Sequence, residues 1–139
     1  MPKHTSTVEW QQGMSFDVEL NGHHFAIDAD GQFGGEDRGP RPKALLLSAL
    51  GGCTGMDVVS ILNKMRMKWD SFSVAVDGDL TEEHPKHYNK INIVYTFTGP
   101  DLDQTKIEKA VKLSQDSYCG VSAMLNKAAT ITHEIVLNP

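Results

Sequence analysis

Cysteine is scarce in this chain: Cys53 and Cys119 are the two among 139 residues. A disulfide-stapled secreted scaffold is therefore excluded, because such chains are dense in cysteine. The length is enough to bury a core without staples. Basic runs are also missing. The 13 Lys and Arg residues are scattered, and the formal charge is −5. That points away from nucleic acid and from anionic membrane as partners, since both call for a basic patch. The longest apolar stretch, Ala44 to Met56, falls short of the roughly 20 residues that a bilayer demands. The opening Met-Pro-Lys-His-Thr has no apolar stretch of the kind a signal peptide carries. A reducing, cytoplasmic setting is the expectation. No phosphate loop, dinucleotide fingerprint or GxSxG elbow occurs. Nor does any repeat or Pro/Gly/Ser linker, so residues 1–139 read as a single domain.

What is present is ordinary globular material. Hydrophobic residues make up 40% and charged residues 22%, which excludes a disordered chain. Phe16, Val18 and Leu20 alternate with polar residues, as do His23, Phe25 and Ile27. Asn21-Gly22 between them is a hairpin signal, because both turn positions need positive φ. Thr5 to Trp10 reads as an earlier strand, and Asp28 to Gly31 as a turn. Residues 31–42 form a Gly/Pro-rich loop with Glu36, Asp37, Arg38 and Arg41. Next comes KALLLSALGGCTGMDVVSILNKMRMK. Its apolar residues recur at Leu47, Leu50, Val58, Ile61 and Met65, the spacing of a helix. Leu45, Leu46, Val59 and Leu62 extend the apolar surface around the cylinder, which predicts burial on most sides. Gly51-Gly52 is where a break is expected. Strands follow at Phe72–Val76 and Ile91–Phe97. Asp101 or Asp103 caps a helix through Ile107, Ala110 and Val111. A short helix runs from about Cys119 to Lys127, and Thr130 to Leu137 is the last strand. The order is β3-α-β2-α2-β, an α+β chain.

The candidate chemistry is in the two thiols. Cys53 sits in Gly51-Gly52-Cys53-Thr54-Gly55, where small neighbours leave its sulfur unshielded. It reads either as a reactive thiol or as a small buried hydrophobe, since access and thiolate character decide. Cys119 precedes Gly120-Val121-Ser122. A helix starting there would favour its thiolate through the helix dipole. If the two meet, they form a peroxidatic and a resolving pair. A peroxidatic thiolate calls for a cation, and Arg38 and Arg41 are the offers. Asp57 shares a helix face with Cys53 and would oppose ionisation; it pairs instead with a cation or a backbone group. The six histidines do not build a metal site. His23-His24 point to opposite faces of a strand. His84 and His87 are a loop pair with no partner at zinc spacing. No metal and no other cofactor is expected.

The segments PRPKALLLSALGGCTGMDVVSIL and DSYCGVSAMLNKAATITHE resemble the two cysteine regions of the OsmC/Ohr superfamily. The order of elements agrees with that family from about residue 5 to residue 137. The resemblance implies an OsmC-like subunit that forms a swapped homodimer around a central buried helix. It implies a bacterial protein of the oxidative stress response that reduces organic hydroperoxides through its thiols. Cys53 would attack the peroxide, Cys119 would resolve it, and a dithiol would restore both. The alternative is a non-catalytic relative, a redox sensor or a dimer binding a small apolar molecule. Active members carry a glutamate just after the helix-opening proline and an arginine in the first hairpin. Here those places hold Lys43-Ala44 and Gln11-Gln12-Gly13-Met14. Arg38, Glu36 and Lys43 are the candidate substitutes for that pair.

Overall fold

The computed structural model describes residues 1–139. The elements are β1 (Ser6–Gln12), β2 (Ser15–Leu20), β3 (His23–Ile27), α1 (Leu45–Lys64), β4 (Ser71–Leu80), β5 (Tyr88–Thr98), α2 (Gln104–Leu113), α3 (Gly120–Leu125) and β6 (Thr130–Leu137). The order and the α+β class follow the sequence expectation. The strands make two three-stranded sheets, β1-β2-β3 and β4-β5-β6. The chain divides into two compact units, Met1–Leu46 and Leu47–Pro139.

The first unit is an antiparallel meander followed by a loop. Asn21 (φ 53°) and Gly22 (φ 78°) make the tight turn between β2 and β3. Leu20 and His23 face each other across it. β1 is exposed along its whole length. Only Ser15, Val18, Ile27 and Asp28 are buried in this unit. Its loop is held by polar contacts instead. The Asp28 carboxylate accepts the backbone N–H groups of Ala29 (2.7 Å), Glu36 (3.0 Å) and Arg38 (3.1 Å). Burial alone would raise the pKa of this acid. The N–H donors, helped by the Arg38 charge, hold it below the ordinary value. Gly39 lies so close to the Ala26 carbonyl that a Cβ would overlap it.

The second unit holds the core. β5 turns Ile91, Ile93, Tyr95 and Phe97 inward at every second residue, as its alternation predicts. β4 pairs antiparallel with β5, and β6 pairs parallel with it. A parallel neighbour needs a long crossover. α2 and α3 supply it. Asp103 caps α2 by accepting the Lys106 N–H at 3.1 Å, one of the two caps expected. Ile107, Ala110 and Val111 face the core, and Phe72 stacks on Phe97 at 4.3 Å.

α1 departs from expectation in two respects. It runs unbroken through Gly51-Gly52. It is 20 residues long, with a mean hydropathy of 1.7 over its best window, so by length and composition it could span a bilayer. The run Ala44 to Met56 underestimates it, because Asp57 interrupts the apolar sequence without ending the helix. Within the single chain, α1 is buried along one stripe, Leu50, Thr54, Val58 and Leu62. That stripe belongs to the same core as β5 and α2. Leu46 and Met56 stay exposed, Met56 at 77%.

Candidate functional site: a thiol pair beside a buried hydroxyl network

α1 presents Cys53 and Asp57 one turn apart, and the crossover brings Cys119 to them. The two sulfurs and a carboxylate oxygen of Asp57 all lie within 4.8 Å of one another. Cys119 is 3% exposed, whereas Cys53 is half-buried, and both are free thiols. Two residues that are far apart in sequence thus meet, as a peroxidatic and resolving pair requires.

The local backbone explains how. α2 ends in one wide turn of π-helix, Ser114–Tyr118, before the chain straightens at Cys119. Such turns are uncommon and concentrate at functional sites. Cys119 then caps α3, its sulfur accepting the Ser122 N–H at 3.4 Å. The neighbouring Val121 N–H favours the thiolate of Cys53.

Electrostatics work against ionisation of Cys53. Burial pushes its thiol above the ordinary pKa. The hydrogen bond and charge of Cys119, and the Asp57 carboxylate, push the same way, while the Val121 N–H opposes them. The sequence reading had Asp57 pairing with a cation or a backbone group. Its partner is instead a hydroxyl: Ser114 Oγ donates to Asp57 Oδ2 at 2.9 Å.

That bond is the outer end of a network the sequence reading did not single out. Thr54 Oγ1 meets Tyr95 Oη and Ser114 Oγ, each at 2.7 Å. Gln115 Nε2 donates to Tyr95 Oη at 2.9 Å and to Thr54 Oγ1 at 3.1 Å. Ser122 Oγ donates to Gln115 Oε1 at 3.0 Å. Burial raises the Tyr95 phenol pKa, so the hydroxyl stays neutral. No buried side-chain polar atom lacks a partner. One signal was available in the sequence. Thr54 interrupts the apolar stripe between Leu50 and Val58, and a buried hydroxyl needs partners.

The glycines around Cys53 serve the other side of α1. A Cβ on Gly51 would press on Val76 at 3.2 Å, and one on Gly55 would touch Val74 at 3.5 Å. Gly51 and Gly55 let α1 lie close to β4, while Gly52 faces open space. An open groove of about 820 Å³ runs along this side, lined by Gly51, Gly52, Gly55, Met56, Val59 and Val74 among others. A second pocket of about 430 Å³ opens at Asp57, between Lys64 and Tyr118.

The candidate cations lie in the first unit. Arg38 pairs with Glu36 at 2.6 Å, and Arg41 pairs with Asp37 at 2.6 Å. The Arg38 guanidinium lies beside the side-chain amide of Gln12, in the β1–β2 hairpin. Lys43 is exposed just before α1. His24 is engaged by Asp17 at 2.8 Å, and His87 by the Pro85 carbonyl at 2.7 Å.

Known proteins share this fold. Residues 34–134 match the family of OsmC-like proteins. The chain is 39% identical to Protein YhfA of Escherichia coli K12 over 127 residues, covering 91% of this chain and 92% of the relative. Among solved structures, a hypothetical protein from Aquifex aeolicus VF5 superposes with a TM-score of 0.84 at 30% identity, over 100% of both chains. The organic hydroperoxide resistance protein OhrB of Bacillus subtilis shares the fold, with a TM-score of 0.62 at 16% identity over 96% of this chain and 97% of its own. Sequence, topology and the meeting of two distant cysteines therefore agree that the chain belongs to the OsmC-like family.

Proposed function

We propose that the protein reduces organic hydroperoxides, with Cys53 as the peroxidatic thiol and Cys119 as the resolving thiol. The observation that carries this reading is the half-exposed Cys53 sulfur within 4.8 Å of the buried Cys119 sulfur. The hydroperoxide resistance activity in the name of the Bacillus subtilis relative supports the substrate class. The Cys53 thiolate attacks the terminal peroxide oxygen. An S–O bond forms as the O–O bond breaks, and the alkoxide takes a proton to leave as an alcohol. The sulfenic acid then condenses with the Cys119 thiol, which forms the disulfide and releases water. A dithiol reductant restores both thiols and becomes a disulfide itself. A bacterial cytoplasm suits this cycle, because it keeps thiols reduced.

Arg38, with Glu36, is the cation of this reading, and Lys43 is the second candidate. The two units act together as one OsmC-like domain, in a swapped homodimer. The open side of α1, with Met56 exposed, supports pairing with a second copy. Met56→Lys should turn a sedimenting dimer into a monomer; an unchanged dimer would place the contact elsewhere.

The raised Cys53 pKa favours a second reading, a redox sensor or a dimer binding a small apolar molecule. One experiment separates the two. Reduced protein is given cumene hydroperoxide or hydrogen peroxide with dithiothreitol, beside Cys53→Ser, Cys119→Ser and Arg38→Ala. Repeated turnover, faster with cumene hydroperoxide and abolished by Cys53→Ser, is the expected result. A single oxidation without turnover moves the assignment to a sensor. Thiols that stay reduced after peroxide exclude both redox readings and leave the binding dimer.

A further inference from the structure

We propose that Cys53, Asp57 and Cys119 also form a binding site for a thiophilic divalent cation, with Zn²⁺ as the probe. This inference stands apart from the peroxide reading, because it needs the geometry and not the reaction. Two soft thiolates with one carboxylate are a donor set that zinc accepts. The three donor atoms already lie within 4.8 Å of one another. Around a tetrahedral zinc with bonds of about 2.0–2.3 Å, donors sit about 3.3–3.8 Å apart. The cluster therefore closes on the ion by side-chain rotation of about 1 Å, without moving an element.

The donors are placed as ligands usually are. Cys53 and Asp57 lie one turn apart on a single face of α1. The same spacing brings two histidines onto zinc in helical metalloprotease motifs. Cys119 comes from a separate segment fixed by the π-helical turn and the start of α3. Two of the three ligands also have an outer partner. Ser114 Oγ holds Asp57 Oδ2 at 2.9 Å and leaves the other carboxylate oxygen available. The Ser122 N–H supports the Cys119 sulfur at 3.4 Å. Outer donors of this kind orient ligands and offset thiolate charge. Cys53 and Asp57 are half-buried rather than sealed, so the ion has a way in and a fourth position remains for water. Binding changes no oxidation state. Zn²⁺ replaces the two thiol protons, which leave to solvent, and the carboxylate completes a site of net charge −1. A zinc-filled site cannot form the Cys53–Cys119 disulfide, so occupancy and oxidation exclude each other.

The test uses the fully reduced, full-length protein without oxygen and without peroxide. It is equilibrated with ZnCl₂, freed of excess metal, and assayed for zinc by atomic emission, with a chromogenic chelator as competitor. About one zinc per chain is expected. Cys53→Ser and Cys119→Ser should each fall to background. Ser114→Ala should weaken binding by about 10–100-fold, the usual loss from an outer-shell partner. His84→Ala/His87→Ala, away from the cluster, should bind as the wild type does. Alkylation of both thiols with iodoacetamide should remove binding without any mutation. Zinc retained after alkylation, zinc lost in the double histidine variant, or far less than one zinc per reduced chain would each overturn the proposal. None of these results depends on peroxide turnover, so the two readings fail separately.

Discussion

The two units of this chain are held together by different forces. Leu47–Pro139 has a dry core, with Leu50, Val58, Leu62, Ile93, Tyr95 and Phe97 shielded from solvent. Met1–Leu46 buries two apolar residues, Val18 and Ile27, and leaves Val8, Trp10 and Phe25 in the open. Its shape comes from a tight turn, strand pairing and the three N–H groups gathered on Asp28. The thiols sit in the well-packed unit, because two side chains from distant segments can be kept in register only where the surrounding rotamers are locked. A three-stranded meander with so little core is marginal alone, and it fits the proposal that this protein works as a dimer.

Core truncation should give the largest separation between the units. Leu62→Ala removes a fully buried side chain and should lower stability by about 2–5 kcal/mol in urea unfolding. A loss under about 1 kcal/mol would mean that the second unit is not the tightly packed one.

The next effect comes from polar rather than apolar burial. Thr54→Val keeps the volume but removes the hydroxyl that joins Tyr95, Ser114 and Gln115. A cost of about 1–3 kcal/mol is expected, typical of buried groups left short of a partner. No change in the urea midpoint would show that the network positions the site without supporting the fold.

These two substitutions also mark what the sequence made legible. The apolar periodicity of Leu50, Val58 and Leu62 and the alternation from Ile91 to Phe97 were readable, since core faces write themselves as spacing. So was the Asn21-Gly22 turn, because few residue pairs tolerate positive φ. Of the site, Cys53 and Cys119 stood out as the two thiols, but their meeting rested on a family resemblance, since no local pattern encodes a contact between α1 and the crossover. Tyr95, Ser114 and Gln115 stayed hidden for the same reason. Their hydroxyl and amide partners come from other elements, and a serine in a helix looks like surface until its neighbours are known. The apolar surface of α1 was readable too, but apolarity around a helix says that something covers it, not what does.

A smaller effect belongs to Asp57. Its charge opposes ionisation of Cys53, so Asp57→Asn should lower that thiol's pKa and speed its alkylation by iodoacetamide at neutral pH. The expected gain is about 2–5-fold, the scale of a half-exposed charge interaction. The same substitution should weaken zinc binding. Faster alkylation with weaker zinc binding would show that one carboxylate suppresses the free thiolate and supports the metal-bound one. Slower alkylation would mean that Asp57 acts chiefly as a base for the thiol.

Asp28 should give the most local effect, and it probes the first unit alone. Its folded pKa lies below the value of an unfolded aspartate, about 3.9. The carboxylate therefore adds stability above that value, and the contribution is lost as pH falls through the lower folded pKa. Acidification should thus open the loop that runs from Asp28 to Pro40 before it disturbs the second unit. Hydrogen exchange read peptide by peptide between pH 3 and pH 6 measures this directly. Asp28→Asn should bring the same opening to neutral pH, since a neutral amide offers one oxygen where three N–H groups now share two. The amides of Glu36 and Arg38 should lose protection while those of β5 keep theirs. Equal loss in β5 would mean that the two units unfold together, and that the polar cage and the apolar core are parts of one cooperative structure.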